Sequence, residues 1–314
     1  MIQHIVAVVA DPNTQWILAG CMLLGLCSGV VGCFSYLRKQ SLMGDTLAHA
    51  ALPGICIAFM LTGTKSLLLF LIGAGISGVI ATFGIGWITR YSRLKSDAAM
   101  GIVLSSFFGL GIVLLTQIQH SSYGNQSGLD KFLFGQAASM IGADVYTMMI
   151  VCALLLTVCT LLFKELKLFA FDAGFARGLG YPTALLDQLL MLFIVIAVVV
   201  GIQAVGVVLV AALLITPAVS ARYWTDRLGV MVVLAGLFGA LSGALGTLLS
   251  SMVQNLPTGP LSVLSATALF GISVLCGPRR GVLTQAIRTA RLRRSERARL
   301  RELSAGTMRK EAAS

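Results

Sequence analysis

The chain predicts an all-α fold, a polytopic transmembrane helical bundle of eight to nine spans. Three observations carry that prediction. Hydrophobic residues make up 57% of the chain and charged residues 11%, against roughly 25% charged in an average soluble domain. Mean hydropathy is +0.91. Apolar runs of about 20 residues, the length that crosses a bilayer as a helix, recur along the chain, and they lack the alternation of a membrane β-barrel.

The first apolar segment covers approximately 15–37. The stretch Ile5–Ala10 before it is too short for a signal-peptide core and no basic region precedes it, so the whole chain is expected to stay in the membrane. Further segments cover about 46–62, 66–89, 98–118, 143–163, 185–201, 204–220, 228–250 and 260–277. The run 185–220 is interrupted only by Gly201, Ile202 and Gln203, so it reads as two short spans or as one span with a re-entrant piece. Gln203 and Thr216-Pro217 stand where an unwound helix could line a pathway, and serve packing equally well. Ala74-x-x-x-Gly78 and Gly239-x-x-x-Gly243 place small residues four apart, which lets helices approach closely.

Charge fixes the expected orientation. Of the 23 Lys and Arg residues, only Lys65 and Lys131 fall on one side of a nine-span arrangement. The rest share the other side, which the positive-inside rule makes cytoplasmic. The N-terminus is then outside and the C-terminus inside. Residues 279–314 hold 11 Lys or Arg and 3 Glu, a basic cytoplasmic tail beyond a membrane domain of 1–278. Directly after a span, such a tail suits anionic lipid rather than nucleic acid. The seven cysteines, at 21, 27, 33, 56, 152, 159 and 276, show no C-x-x-C pair and read as small core residues.

Chemistry concentrates in Ser41–Gly54. Asp45 and His49 are four residues apart, so on a helix they share a face. An ionisable group at the centre of a membrane helix costs roughly 2.5–3.5 kcal/mol on insertion scales. Carboxylate oxygen beside imidazole nitrogen suits manganese, iron or zinc. An Asp–His pair that merely ties two helices together is the competing reading. Pro53-Gly54 follows, where it can bend the helix. On the next span Asp97 and Ser105 are weaker pathway candidates: Asp97 can cap a helix start and Ser105 can bond across helices.

Two connections are long. Residues 119–142 begin polar and end in Asp130–Gly135, and can cap the outer mouth or form a surface loop with an interfacial helix. The inner connection 164–184 places Phe171, Phe175 and Leu179 at i, i+4 and i+8, an apolar ridge on one cytoplasmic helix. Asp172 suits the start of that helix, and Gly178, Gly180 and Pro182 its end, with Arg177 on the polar side. Exposed aromatics of this kind call for a partner.

These residues carry a family likeness. Leu37–Asp45 with His49 and Leu52-Pro53-Gly54, Lys95–Ile102 with Ser105-Ser106, Phe132–Gly135 and Leu214–Ala218 resemble the permease subunits of bacterial manganese, zinc and iron ABC importers, over roughly 15–280. The resemblance implies a homo- or heterodimer of permeases with a metal site at Asp45 and His49. It also implies cytoplasmic ATPase subunits seated on 171–182, and an extracytoplasmic metal-binding protein that delivers manganese first of all, or zinc or iron. The setting it implies is a bacterial cytoplasmic (inner) membrane. No Gly-x-x-x-x-Gly-Lys-Ser/Thr loop is present, so the chain is expected to be a transport subunit and not an enzyme, with no permanently bound cofactor. An ATPase-independent secondary carrier, with His49 as a proton relay, is the alternative. The tail is longer than the family leads one to expect.

Overall fold

The structure, a computed structural model, describes residues 11–63, 67–120, 142–252, 256–286 and 288–289. These form eleven helices in chain order. They are α1 (Pro12–Leu37), α2 (Met43–Thr62), α3 (Leu67–Tyr91), α4 (Ser96–His120), α5 (Gly142–Leu161), α6 (Phe163–Phe171), α7 (Ala173–Gly178), α8 (Thr183–Val205), α9 (Val207–Trp224), α10 (Leu228–Met252) and α11 (Thr258–Cys276). Eight are long and apolar enough to cross a membrane, and α9 adds a shorter apolar helix over Leu209–Trp224.

Residues without large side chains hold the centre together. Gly25 of α1 meets the backbone of Gly239 on α10, with Gly29 against Ala235 and Gly243 against Cys21 one turn to either side. A Cβ at any of these glycines would strike backbone, so close antiparallel approach requires them. The Gly239-x-x-x-Gly243 motif therefore does what its spacing predicts. Ala74 and Gly78 of α3 also face inward, Ala74 fully buried and Gly78 against Val195 of α8. Six of the seven cysteines are buried and unpaired; Cys276 is exposed.

Burial sorts the spans into layers. In α1 72% of the most apolar window is buried, and in α4, α5 and α11 28%. The inner group of α1, α2 and α8 is surrounded by helices whose apolar outer faces meet lipid or another chain.

The break in 185–220 falls at Gly206, three residues beyond the predicted interruption. Gly206 has φ +91°, a left-handed value that a β-branched residue would resist. Helix α8 continues through the backbone of Gln203, whose side chain lies outside the described residues. Helix α9 then runs beside α11 from end to end. Val205 just before it packs on Gly259 at the start of α11, and the carbonyl of Tyr223 near its end accepts from the Arg279 N–H at 3.2 Å. Neither Pro53 nor Pro217 ends its helix.

Cross-links gather the basic helix ends at one end of the bundle. Arg38, after α1, reaches Asp187 of α8. Arg90 of α3 borders the same groove as Asp187. Arg280, after α11, reaches Asp226, after α9, and Asp226 also holds Arg222.

Candidate functional site

The turn between α1 and α2 sets the position of Asp45. Ser35 Oγ donates to the Gln40 carbonyl at 2.9 Å and the Gln40 N–H returns to the Ser35 carbonyl at 3.0 Å. Lys39 takes φ +58° to complete the reversal. Gly44 then lets α2 lie against Ala211 and Leu214 of α9. Asp45 follows in the first turn of α2.

Asp45 Oδ1 and His49 Nε2 are 3.5 Å apart, with the His49 side chain 18% exposed and that of Asp45 41%. Two donors bound at about 2.1 Å to one tetrahedral ion would sit roughly 3.4 Å apart. The observed separation fits a shared ion. The imidazole packs edge-on against Phe108 of α4, ring centroids 4.8 Å apart. His49 Nδ1 is buried and has no hydrogen-bond partner among the described residues. An imidazole 3.5 Å from a carboxylate of its own helix does not brace two helices through that pair, and its Nε2 is placed to share a ligand with Asp45.

Among the described residues no cluster of three or more His, Cys, Asp and Glu forms. One chain therefore offers two ligands of those types at this point. Around them Leu42, just before α2, and Ile57 and Leu61 toward its far end are exposed, as are Ile102 and Leu110 of α4.

The other predicted pathway residues fare differently. Ser105 is exposed on α4, one turn before Phe108. Because α2 and α4 run parallel, with Gly111 against Pro53 and Phe108 against His49, Ser105 stands near the level of Asp45. Asp97, eight residues earlier, is roughly 12 Å further along the helix and is exposed in its first turn. Thr216 is half-buried on α9, where its carbonyl accepts from Ser220 Oγ at 2.7 Å. Ser105 thus stands at the level of Asp45 and His49 on the neighbouring helix, and Asp97 does not.

The inner connection departs from the single helix predicted. The chain extends at Asp172 (φ −148°, ψ 92°), which separates α6 from α7. Asp172 Oδ1 accepts the Phe175 N–H at 2.9 Å, so it caps the six-residue α7. Phe171 thus ends one helix, Phe175 lies within the next, and Leu179 follows its end. All three still point outward, 56–57% exposed. Arg177 turns back, Nε to Thr183 Oγ1 at 3.4 Å. The outer loop with Phe132–Gly135, and the tail from residue 290, lie outside the described residues.

Sequence reasoning missed a clamp beneath this segment. Arg38 Nη2 meets Asp187 Oδ1 at 3.1 Å, and its guanidinium lies 4.1 Å from the ring centroid of Phe169 on α6. The signal was available: Asp187 is a lone acid at the start of a strongly apolar run, a position that demands a partner.

The profile of the ABC 3 transport family matches residues 10–277. The chain belongs to the ABC 3 transport family. This member is 56% identical over 283 residues to the manganese transport system membrane protein MntC of Bacillus subtilis, a match covering 90% of the chain but 65% of that relative's length. It is 45% identical to the zinc transport system membrane protein TroC of Treponema pallidum, covering 90% of the chain and 95% of the relative. Among solved structures it is similar to PsaBC from Streptococcus pneumoniae in complex with Fab. The TM-score is 0.80 and the identity 34%, over 91% of this chain and all of that one.

Proposed function

We propose that this family member is the membrane-spanning permease of an ATP-driven importer for a divalent transition metal, which passes a site formed by Asp45 and His49. The Asp45–His49 donor pair, 3.5 Å apart on an open helix face, carries the proposal. Two ligands from one chain leave coordination positions free, and a second permease chain packed on that face would supply two more. Manganese is the leading cargo, because the more similar of the two relatives above is named for manganese. Zinc and iron also suit one carboxylate and one imidazole.

The energy comes from a partner. Phe171, Phe175 and Leu179 form the surface on which a cytoplasmic ATPase sits, with Asp172 shaping it and Arg177 at its edge. An extracytoplasmic binding protein hands metal to the opposite end. Gathering of the basic helix ends supports a cytoplasmic C-terminus in the inner membrane. The end-to-end run of α9 beside α11 supports nine crossings and an outside N-terminus.

Uptake of radiolabelled manganese by cells carrying Asp45→Ala or His49→Ala tests the site. Both should lose uptake while inserting and assembling normally. Wild-type uptake by either assembled variant ends the ligand assignment. Uptake that persists in vesicles without any ATPase returns the secondary-carrier alternative.

A further inference from the structure

A groove runs along the outside of the bundle between α3 and α8. Its upper part holds about 390 Å³ and is walled by Leu71, Ile72, Gly75, Ile76 and residues of α8 from Leu192 to Val199. It continues past Val79 and Leu192 into a wider part of about 750 Å³ that ends at Trp87, Arg90, Tyr91 and Gln188. One end is therefore wholly apolar, and the other carries a cation beside Trp87 and Tyr91, whose rings pack edge to face with centroids 6.0 Å apart. Arg90 makes no ion pair among the described residues, and its guanidinium lies 6.0 Å from the Tyr91 ring centroid. Asp187, the acid in the same groove, is occupied by Arg38.

Two of the glycines of α3, Gly75 and Gly86, keep the groove open. Gly73 and Gly78 are needed for contact with α2 and α8, since a Cβ at either would collide. Gly75 and Gly86 meet nothing within 4 Å. They line the groove, and any side chain there would narrow it. From Trp87 to Ile76 the helix rises roughly 16 Å, about half of a ~30 Å hydrocarbon core. Trp and Tyr at the wide end match the aromatic belt at a membrane surface.

We infer that the α3/α8 groove binds one anionic glycerophospholipid of the leaflet at the basic end. Its phosphate meets Arg90 and an acyl chain lies over Gly75 beside Ile76. A second copy of the chain is the competing occupant. The inference needs only the membrane setting, so it stands or falls separately from the metal site.

The test uses the full chain in nanodiscs, with Trp16→Phe and Trp224→Phe leaving Trp87 as the fluorophore. Tail-brominated phosphatidylglycerol should quench Trp87 at about fivefold lower mole fraction than tail-brominated phosphatidylcholine, the equivalent of about 1 kcal/mol for one cation near an anionic surface. Arg90→Gln should remove that preference and Arg93→Gln should leave it. Gly75→Leu should weaken quenching by both lipids. Equal quenching by the two lipids in the parent chain overturns the inference, as does a Gly75→Leu variant that quenches like its parent. Should the Trp replacements prevent folding, native mass spectrometry of the unaltered chain serves instead. One retained phosphatidylglycerol, lost in Arg90→Gln, is expected, and equal retention by both overturns the site. Disulfide cross-linking of Ile76→Cys between copies would assign the groove to the dimer.

Discussion

At the scale of single residues, the surroundings of His49 are what the proposed metal site rests on. Asp45 lies 3.5 Å from one of its nitrogens, Phe108 packs against the ring, and the buried Nδ1 has no partner among the described residues. A divalent ion held between Oδ1 and Nε2 in a membrane setting would need the carboxylate charge to offset its own. Asp45→Asn, which keeps shape but removes the charge, should therefore abolish uptake as fully as Asp45→Ala, measured by manganese accumulation in intact cells. Retained uptake in the Asn variant would mean that shape rather than charge is used. Phe108 touches the ligand and offers no metal donor of its own. Aromatic contacts of this type contribute about 0.5–1.5 kcal/mol, so Phe108→Ala should raise the half-saturating manganese concentration by roughly 2–10-fold and leave maximal uptake nearly unchanged. A collapse of maximal uptake would instead make Phe108 part of the pathway.

The break at Asp172 changes the proposed docking surface from one ridge into two short helices that meet at a capped corner. Buried aromatic anchors typically cost about 2 kcal/mol or more on truncation, whereas rim charges cost little. Phe175→Ala should weaken association with the ATPase by roughly 30-fold or more, and Arg177→Ala far less, in a pull-down against titrated ATPase. A double Phe171→Ala/Phe175→Ala variant that still co-purifies and transports would remove the docking assignment. Beneath that corner, Arg38 joins the end of α1 to α6 and α8. Both partners of its ion pair are partly exposed, 24% and 32%, so solvent screens the attraction. A double-mutant cycle of Arg38→Met and Asp187→Asn should give a coupling of about 1 kcal/mol in thermal unfolding. A value near zero would make the contact incidental.

At the scale of the whole molecule, packing of α1 on α10 and the sidedness of the bundle are the properties to test. Gly25 and Gly239 approach backbone to backbone, and a small-to-large change in such a contact forces the helices apart. Gly239→Leu should abolish accumulation of folded protein in the membrane, whereas Gly271→Leu, where a Cβ meets nothing within 4 Å, should not. Equal accumulation of the two would contradict the packing. For sidedness, a cysteine in place of Gln126 should react with an impermeant maleimide in intact cells, and one in place of Ser304 only after permeabilisation. External labelling at both would reverse the assignment of faces.

Composition and local spacing by themselves determined the helical membrane fold, nearly every span and the pairing of Asp45 with His49. Those properties depend on hydropathy and on the helical repeat, both of which are written along the chain. Tertiary structure decided where the helix after Thr183 stops, because Gly201 and Gly206 are both glycines and only one adopts a left-handed φ. It decided that Ser105 joins the site level and Asp97 does not, since that depends on the parallel register of α2 and α4. It also decided that Arg38 closes on Asp187 across 149 residues of sequence. No periodicity encodes a contact of that range. It exists because folding brings the end of α1 beside the start of α8, where a guanidinium and a carboxylate can meet.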